Sequence, residues 1–255
     1  MESWALVTGA TSGIGESFTR LLAENNYNIV LVARDMPRLR ERAQSLQEKF
    51  NVQTHIIQAD LSTDAGCSAV EQYIANNQVD VLINNAGFGL NKAFTMSDLQ
   101  AEQQMFDVLV RTPMRLMHVA LPLMKQRNKG VVINVSSVAG YIAGGSYSAA
   151  KSYLTVLSES LHTELAGTNI KISALCPGFT RTEFHQRGRM SMKGLPSFMW
   201  LDSDKLVEKS WRDALKGEAI SIPGWQYQLL VFVIQTLPRS IIRKVGVNLR
   251  KKQRK

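Results

Sequence analysis

Cysteine is scarce in this chain. Cys67 and Cys176 are the only two among 255 residues. Their separation matches neither a metal knuckle nor a disulfide framework, so both are expected to be reduced, buried thiols. The four histidines, His55, His118, His162 and His185, show no ligand spacing either, and no metal site is expected. Long apolar runs are also missing. "WALV" near the start is too short for a signal sequence and lacks a basic leader. "LLVFVI", within Trp225 to Leu237, is too short to cross a bilayer. These absences point to a cytoplasmic protein. Apolar residues make up 45% and charged residues 20%, which is ordinary for a chain that buries a large core.

Acid is what the C-terminus lacks. Arg239, Arg243, Lys244, Arg250, Lys251, Lys252, Arg254 and Lys255 carry eight of the nine net positive charges, with no acidic residue among them. The body is therefore almost neutral. A nucleic-acid surface needs cations on a folded face. These lie on a tail, so no nucleic-acid partner is expected. An apolar stretch followed by an acid-free basic tail suits peripheral contact with an anionic membrane. The alternative is a helix docked on the domain with a solvated tail.

What is present alternates. "SWALVTG", "NIVLVAR", "VQTHIIQAD", "VDVLINNAG", "GVVINVSS" and "IKISALCPG" read as buried strands. Between them run helices from Ile14 to about Asn25, Met36 to Phe50, Asp64 to Asn76, Asp98 to about Arg127 and Ser146 to about Ala166. Pro113 marks a kink or break in the longest of these. A helix from Ser203 to Lys216, capped by Asp202 or Ser203, a last strand in "AISIPG" and a helix from Trp225 to Leu237 complete the pattern. Strands separated by helices require crossover connections, hence an α/β fold with a parallel sheet covered on both faces. No linker or repeat interrupts it. One domain is expected over residues 1–224, with a substrate lid at about 180–216 and a C-terminal segment over 225–255.

Three stretches carry chemistry. "TGATSGIG" places Gly9, Gly13 and Gly15, with Thr11, Ser12 and Ile14 between them, where the first strand turns into the first helix. Glycine lets backbone approach a pyrophosphate, and the helix N-terminus offers free N–H groups. The alternative is a glycine-rich turn without a ligand. At the end of the second strand stands Arg34, where an acidic residue would bond the ribose 2′-hydroxyl of NAD. A guanidinium there suits the 2′-phosphate of NADP(H). "YSAAK" sets Tyr147 and Lys151 four residues apart on one helical face. A free tyrosine has a pKa near about 10, and a nearby ammonium favours its phenolate. Tyr147 is then a general acid and base whose acidity Lys151 adjusts. The alternative is an exposed i,i+4 pair.

"TGATSGIG", "NNAG", "YSAAK" and "PGFTRT" stand in the order and context of the classical short-chain dehydrogenases/reductases, which the chain resembles from about Ser3 to Trp225. The resemblance implies a Rossmann-type, doubly wound parallel seven-stranded sheet with strand order 3-2-1-4-5-6-7. It implies that Asp60 bonds the adenine amine, with Leu61 lining that pocket. Asn85, Ala86 and Gly87 would flank the adenosine ribose, and Pro177, Gly178, Thr180 and Thr182 would border the nicotinamide. Ser137 matches the catalytic serine that polarises the carbonyl. Lys151 would also bond the nicotinamide ribose. Ser136, the neighbour of Ser137, points the other way in a regular strand.

Two departures stand out. The gap from Ser137 to Tyr147 is shorter than in many relatives. Leu109 replaces the asparagine that in relatives holds a helix kink and a water leading from the lysine, and leucine cannot hydrogen-bond. The substrate side, over Phe88, Gly89, Tyr141 and the region from Phe184 to Trp200 with Met190, Met192, Leu195, Phe198 and Met199, is apolar and suits a lipophilic carbonyl or alcohol. The expected activity is NADP(H)-dependent hydride transfer between nicotinamide and such a carbonyl or alcohol. The other readings are a cofactor-binding regulatory or scaffold protein with weak or no turnover, and an acyl-carrier-protein reductase. A homo-dimer or tetramer through the helices bearing Leu109 and Tyr147 is what the resemblance implies.

Overall fold

The computed structural model describes residues 2–184 and 195–243. Met190 and Met192 of the lid, His185, and the tail from Lys244 onward lie outside the described residues. Strands β1 (Trp4–Thr8), β2 (Asn28–Ala33), β3 (Thr54–Gln58), β4 (Val81–Asn84), β5 (Gly130–Val135), β6 (Ile170–Leu175) and β7 (Ile220–Ser221) form one sheet of order β3-β2-β1-β4-β5-β6-β7. All six pairings are parallel. The expected order holds. The last strand is shorter than "AISIPG" suggested, because only Ile220 and Ser221 pair with β6.

The helices are α1 (Gly13–Glu24), α2 (Met36–Phe50), α3 (Asp64–Asn76), α4 (Leu99–Phe106), α5 (Thr112–Arg127), α6 (Ser146–Glu164), α7 (Ser203–Lys216) and α8 (Trp225–Thr236). Their ends follow local chemistry. The Asp35 carboxylate accepts from the Arg38 N–H at the start of α2, and Asp98 does the same for Ala101 at α4. Asp202 rather than Ser203 caps α7, accepting from the N–H groups of Asp204 and Lys205. Asn51, Asn128 and Gly217 stop helices in the left-handed region.

Side chains of successive strand residues go to opposite faces. Ala5, Val7, Ile29 and Leu31 pack with Phe18 and Leu22 of α1, Leu39 of α2 and Trp211 of α7. Leu6, Val30, Val32 and Leu82 pack with Val70 of α3, Leu116 and Met124 of α5 and Leu154 of α6. Two apolar layers therefore clamp the sheet. The carboxyl ends of its strands are left to build the site, as open α/β sheets require.

The long helix expected from Asp98 to Arg127 is interrupted. Asp107–Arg111 forms a π-turn between α4 and α5, and Pro113, just after it, has no N–H to give to the continuing helix, which suits an irregular hydrogen-bond ladder there. Leu109 sits at the centre of the π-turn and is fully buried with Met105, Val110 and Ala150. The irregular turn thus persists with leucine in the place of asparagine.

Candidate active site

The first βα turn is built for close approach. Gly9 and Gly13 adopt φ +67 and +56, which glycine alone takes without strain. A Cβ on Gly15 would stand 2.2 Å from the Gly9 carbonyl oxygen and 2.4 Å from Asn85 Nδ2. Thr11, Ser12 and Ile14 are half-buried along the same turn. Asn85 braces the loop rather than only facing a ribose. Its Nδ2 donates to the carbonyls of Thr8 at 2.8 Å and Gly9 at 3.2 Å. Thr8 was not singled out from the sequence. Its hydroxyl accepts from the N–H groups of Asn85 (2.9 Å) and Ala86 (3.0 Å), tying the end of β1 to the end of β4. A hydroxyl residue directly before Gly9 was the available signal.

Beyond the second strand, Arg34 is exposed, and its charge acts on Asp60. Burial works to raise the Asp60 carboxyl. The Ser62 N–H (3.0 Å), the Ser62 hydroxyl (2.8 Å) and the Arg34 charge outweigh it and hold the group below the usual carboxylate range. Asp60 is thus already a turn anchor. The cap of α3 is Thr63, whose hydroxyl accepts from Gly66. Leu61 is buried, and its carbonyl accepts from Thr112 Oγ1 at 2.8 Å.

Tyr147 and Lys151 stand on α6 above the ends of β4 and β5. Lys151 is buried, and its Nζ donates to the Val135 carbonyl at 2.6 Å. The same nitrogen lies 5.8 Å from the centroid of the Tyr147 ring. A Cβ on Gly87 would come 2.8 Å from Leu109 Cδ2 and 3.9 Å from Lys151 Nζ, so Gly87 keeps space between the π-turn and the ammonium. Ser137 stands two residues past β5, in extended backbone. Its hydroxyl donates to the Pro177 carbonyl at 3.4 Å, accepts from Ala139 N at 3.1 Å and hydrogen-bonds Tyr147. Ser136 does point the other way. Its hydroxyl donates to the Lys151 carbonyl at 2.7 Å and lies 2.6 Å from Thr155 Oγ1.

The electrostatics differ from the sequence expectation. Burial is the dominant influence on Tyr147 and raises its phenol above the ordinary value, and the Ser137 hydrogen bond opposes it. Burial also pushes Lys151 down to about 8, against a smaller opposing influence from Cys176. Each group is driven toward neutrality because its charged form loses water. Tyr147 is therefore held as a proton donor, and Lys151 keeps its charge at neutral pH by a narrow margin.

The third wall is the loop after β6. Pro177 O accepts from Val138 N at 3.1 Å. A Cβ on Gly178 would stand 2.0 Å from Tyr227 Cζ. Thr180 is buried, bridges to Leu201 and donates to the Gly178 carbonyl. A Cβ on Gly13 would meet Thr182 at 2.9 Å, so this loop closes against the glycine turn. The Phe184 ring lies 6.0 Å from Tyr147. All three catalytic candidates and both loops thus converge. Arg34 and Asp60 lie together off the end of β2 and β3. The residues fit a dinucleotide: a turn with positive φ at Gly9 and Gly13 and α1 packed too closely on it for any Cβ at Gly15, a cation at Arg34, and the Ser137–Tyr147–Lys151 group at the other end. Among the described residues no group of three His, Cys, Asp or Glu could hold a metal ion.

The short chain dehydrogenase family model matches residues 3–192. The chain belongs to the short-chain dehydrogenase family. This dehydrogenase-family chain is 32% identical over 187 residues to the very-long-chain 3-oxoacyl-CoA reductase of Rattus norvegicus, covering 71% of the chain but only 60% of the rat protein. A short-chain dehydrogenase from Sphingobium yanoikuyae, solved in complex with NADPH, superposes with a TM-score of 0.84 at 29% identity, covering 91% of this chain and 93% of that one. The bulky-bulky ketone specific alcohol dehydrogenase from Comamonas testosteroni gives a TM-score of 0.79 at 28% identity, covering 93% and 96%.

Proposed function

We propose that this protein is an NADP(H)-dependent oxidoreductase that transfers hydride between nicotinamide and the carbonyl or alcohol carbon of a small lipophilic substrate. The observation that carries the reading is the meeting of Ser137, Tyr147 and Lys151 beside the glycine cradle. Gly9, Thr11, Ser12, Gly13, Ile14 and Gly15 would hold the pyrophosphate, and Arg34 would pair with the 2′-phosphate. Asp60 and Leu61 would receive the adenine, and Asn85, Ala86 and Gly87 its ribose. Pro177, Gly178, Thr180 and Thr182 would flank the nicotinamide. NADPH supplies the hydride when bound.

The chain's own residues manage the proton and the oxygen. The Ser137 hydroxyl orients the substrate oxygen and polarises the carbonyl. Tyr147, kept protonated by burial, donates its proton to that oxygen, and the Lys151 ammonium stabilises the phenolate left behind. In the oxidative direction Tyr147 accepts the proton. A relative named for very-long-chain 3-oxoacyl-CoA and a neighbour named for bulky ketones support a lipophilic substrate. So do Phe184 beside Tyr147 and the exposed Phe198. The catalytic domain spans 1–224, with a lid at about 180–216. The protein works in the cytoplasm as a dimer or tetramer, with its 225–255 segment at a membrane surface.

The test follows NADPH oxidation with a panel of bulky ketones and 3-oxoacyl thioesters. Turnover is expected to fall by about 10²- to 10⁴-fold in Tyr147→Phe while NADPH binding is kept. Cofactor binding without turnover across the panel, and no difference in Tyr147→Phe, would replace this reading with a cofactor-binding regulatory protein.

A further inference from the structure

Helix α8 carries apolar residues on its outward as well as its inward side, with glutamines as its long polar side chains, yet it lies on the surface. Tyr227, Val231 and Ile234 form its buried side. On the opposite side, at helical spacing, Trp225 (71% exposed), Leu229 (56%), Phe232 (64%) and Val233 (42%) face outward, and the helix contains no charged residue. Such a face marks an interaction surface. Directly after it Arg239 and Arg243 are exposed, and the sequence continues with six further cations and no acid.

We infer that the outward face of α8, with Arg239 and Arg243 just beyond its end, is a docking surface for an anionic lipid bilayer. The charge decides the occupant. An apolar face followed in sequence by acid-free cations matches an interface of acyl chains under anionic headgroups. A second copy of the same chain would bring its own Arg239 and Arg243 to the same face, and like charges would oppose the contact. No described helix is long and apolar enough to cross a membrane, so the contact lies in the interface plane.

The surface also has a position relative to the site. The Tyr227 hydroxyl accepts from Phe179 N at 3.0 Å and donates to the Met199 carbonyl at 2.5 Å. Gln226 Nε2 donates to the Phe198 carbonyl at 3.0 Å, and the Phe198 side chain is 61% exposed. The docking helix is thus fastened to the loop after β6 that borders the nicotinamide and to the apolar lid. Docking therefore holds the loop that borders the site near the bilayer, the phase in which a lipophilic carbonyl compound accumulates.

This inference goes beyond the oxidoreductase reading, and its test needs no turnover. The full-length protein is centrifuged with vesicles of phosphatidylcholine alone or mixed with phosphatidylglycerol, at low and high salt. Binding is expected on the anionic vesicles at low salt, weaker by about tenfold or more on neutral vesicles or at high salt. The double variant Leu229→Ser/Phe232→Ser, checked by NADPH binding as folded, is expected to lose that binding. Lys251→Gln/Lys252→Gln is expected to weaken it. Three results would overturn the inference: no binding to anionic vesicles at low salt, binding by the double variant equal to wild type, or an oligomer formed without lipid that the double variant dissociates, which would assign the face to a second copy.

Discussion

At the residue scale, the proposed chemistry turns on an ammonium that burial has made easy to lose. Lys151 is pushed down to about 8 from an ordinary 10.5. Below about pH 8 it carries the charge that stabilises the Tyr147 phenolate, and above that it does not. The reductive kcat/KM is therefore expected to fall as pH rises through about 8. The titration of Lys151 does not itself destabilise the fold over this range. A lysine whose folded pKa is depressed binds fewer protons than the unfolded chain between about 8 and 10.5, so its contribution to stability grows across that window. In Lys151→Arg the guanidinium stays charged, and the falling limb should move to higher pH. A limb that stays near 8 in that variant would detach it from Lys151. Arg34 carries a second expectation at this scale. In Arg34→Ala the Kd for NADPH should rise about 10- to 100-fold, as expected for a lost charge-assisted bond, with NADH binding unchanged. Equal losses for both cofactors in titration would show that Arg34 does not read the 2′-phosphate. Tyr147, Lys151 and Ser137 were legible because their types and order are rare together. The direction of the Tyr147 shift was not, since it depends on how much water the fold removes, and spacing alone shows only the lysine.

Among the elements, the strand–helix alternation was legible because strands covered on both faces read as continuous apolar runs between amphipathic helices. The π-turn was not. Asp107–Arg111 keeps helical periodicity on both sides, and the turn differs only in which carbonyl each N–H reaches. Nor was the polar network under the site, where Asn84 Nδ2 donates to Asn134 Oδ1 at 2.8 Å and Asn134 Nδ2 donates to Ser158 Oγ at 2.9 Å across fifty and twenty-four residues of sequence separation. Such long-range pairing is set by the register of β4 on β5. The seat of α8 was likewise hidden. Gly178 leaves room for the Tyr227 ring, which is fully buried. Gly178→Ala puts a methyl where that ring lies, and overpacking costs about 1–3 kcal/mol. The Tm should fall by about 2–10 °C at the few degrees per kcal/mol of a chain this size. A melting curve within about 1 °C of wild type would mean that α8 is not locked to the loop through this contact.

For the whole molecule, one more surface is left without a partner. On the outer side of α4, α5 and α6, Leu99 (69% exposed), Phe106 (55%), Met114 (42%) and Val156 (60%) face solvent. Between α4 and α6 lies a cavity of about 390 Å³ lined by Glu102, Phe106, Ser146 and Ala150 among others. Glu102 is buried. One of its oxygens accepts from Ser97 Oγ at 2.6 Å, and the other has no partner. An exposed apolar surface of this kind marks an interaction site. These are the helices through which self-association is proposed. The sequence before Arg239 is nearly neutral, so like charge does not oppose pairing here. The two faces therefore separate experimentally. Sedimentation velocity without lipid should give a dimer or tetramer for wild type and for Leu229→Ser/Phe232→Ser. Phe106→Arg/Val156→Arg should give a monomer that still binds NADPH, because a charge placed in such a contact must be desolvated. If that variant keeps the wild-type mass, or wild type is itself a monomer at micromolar concentration, the α4–α6 face is not the subunit contact.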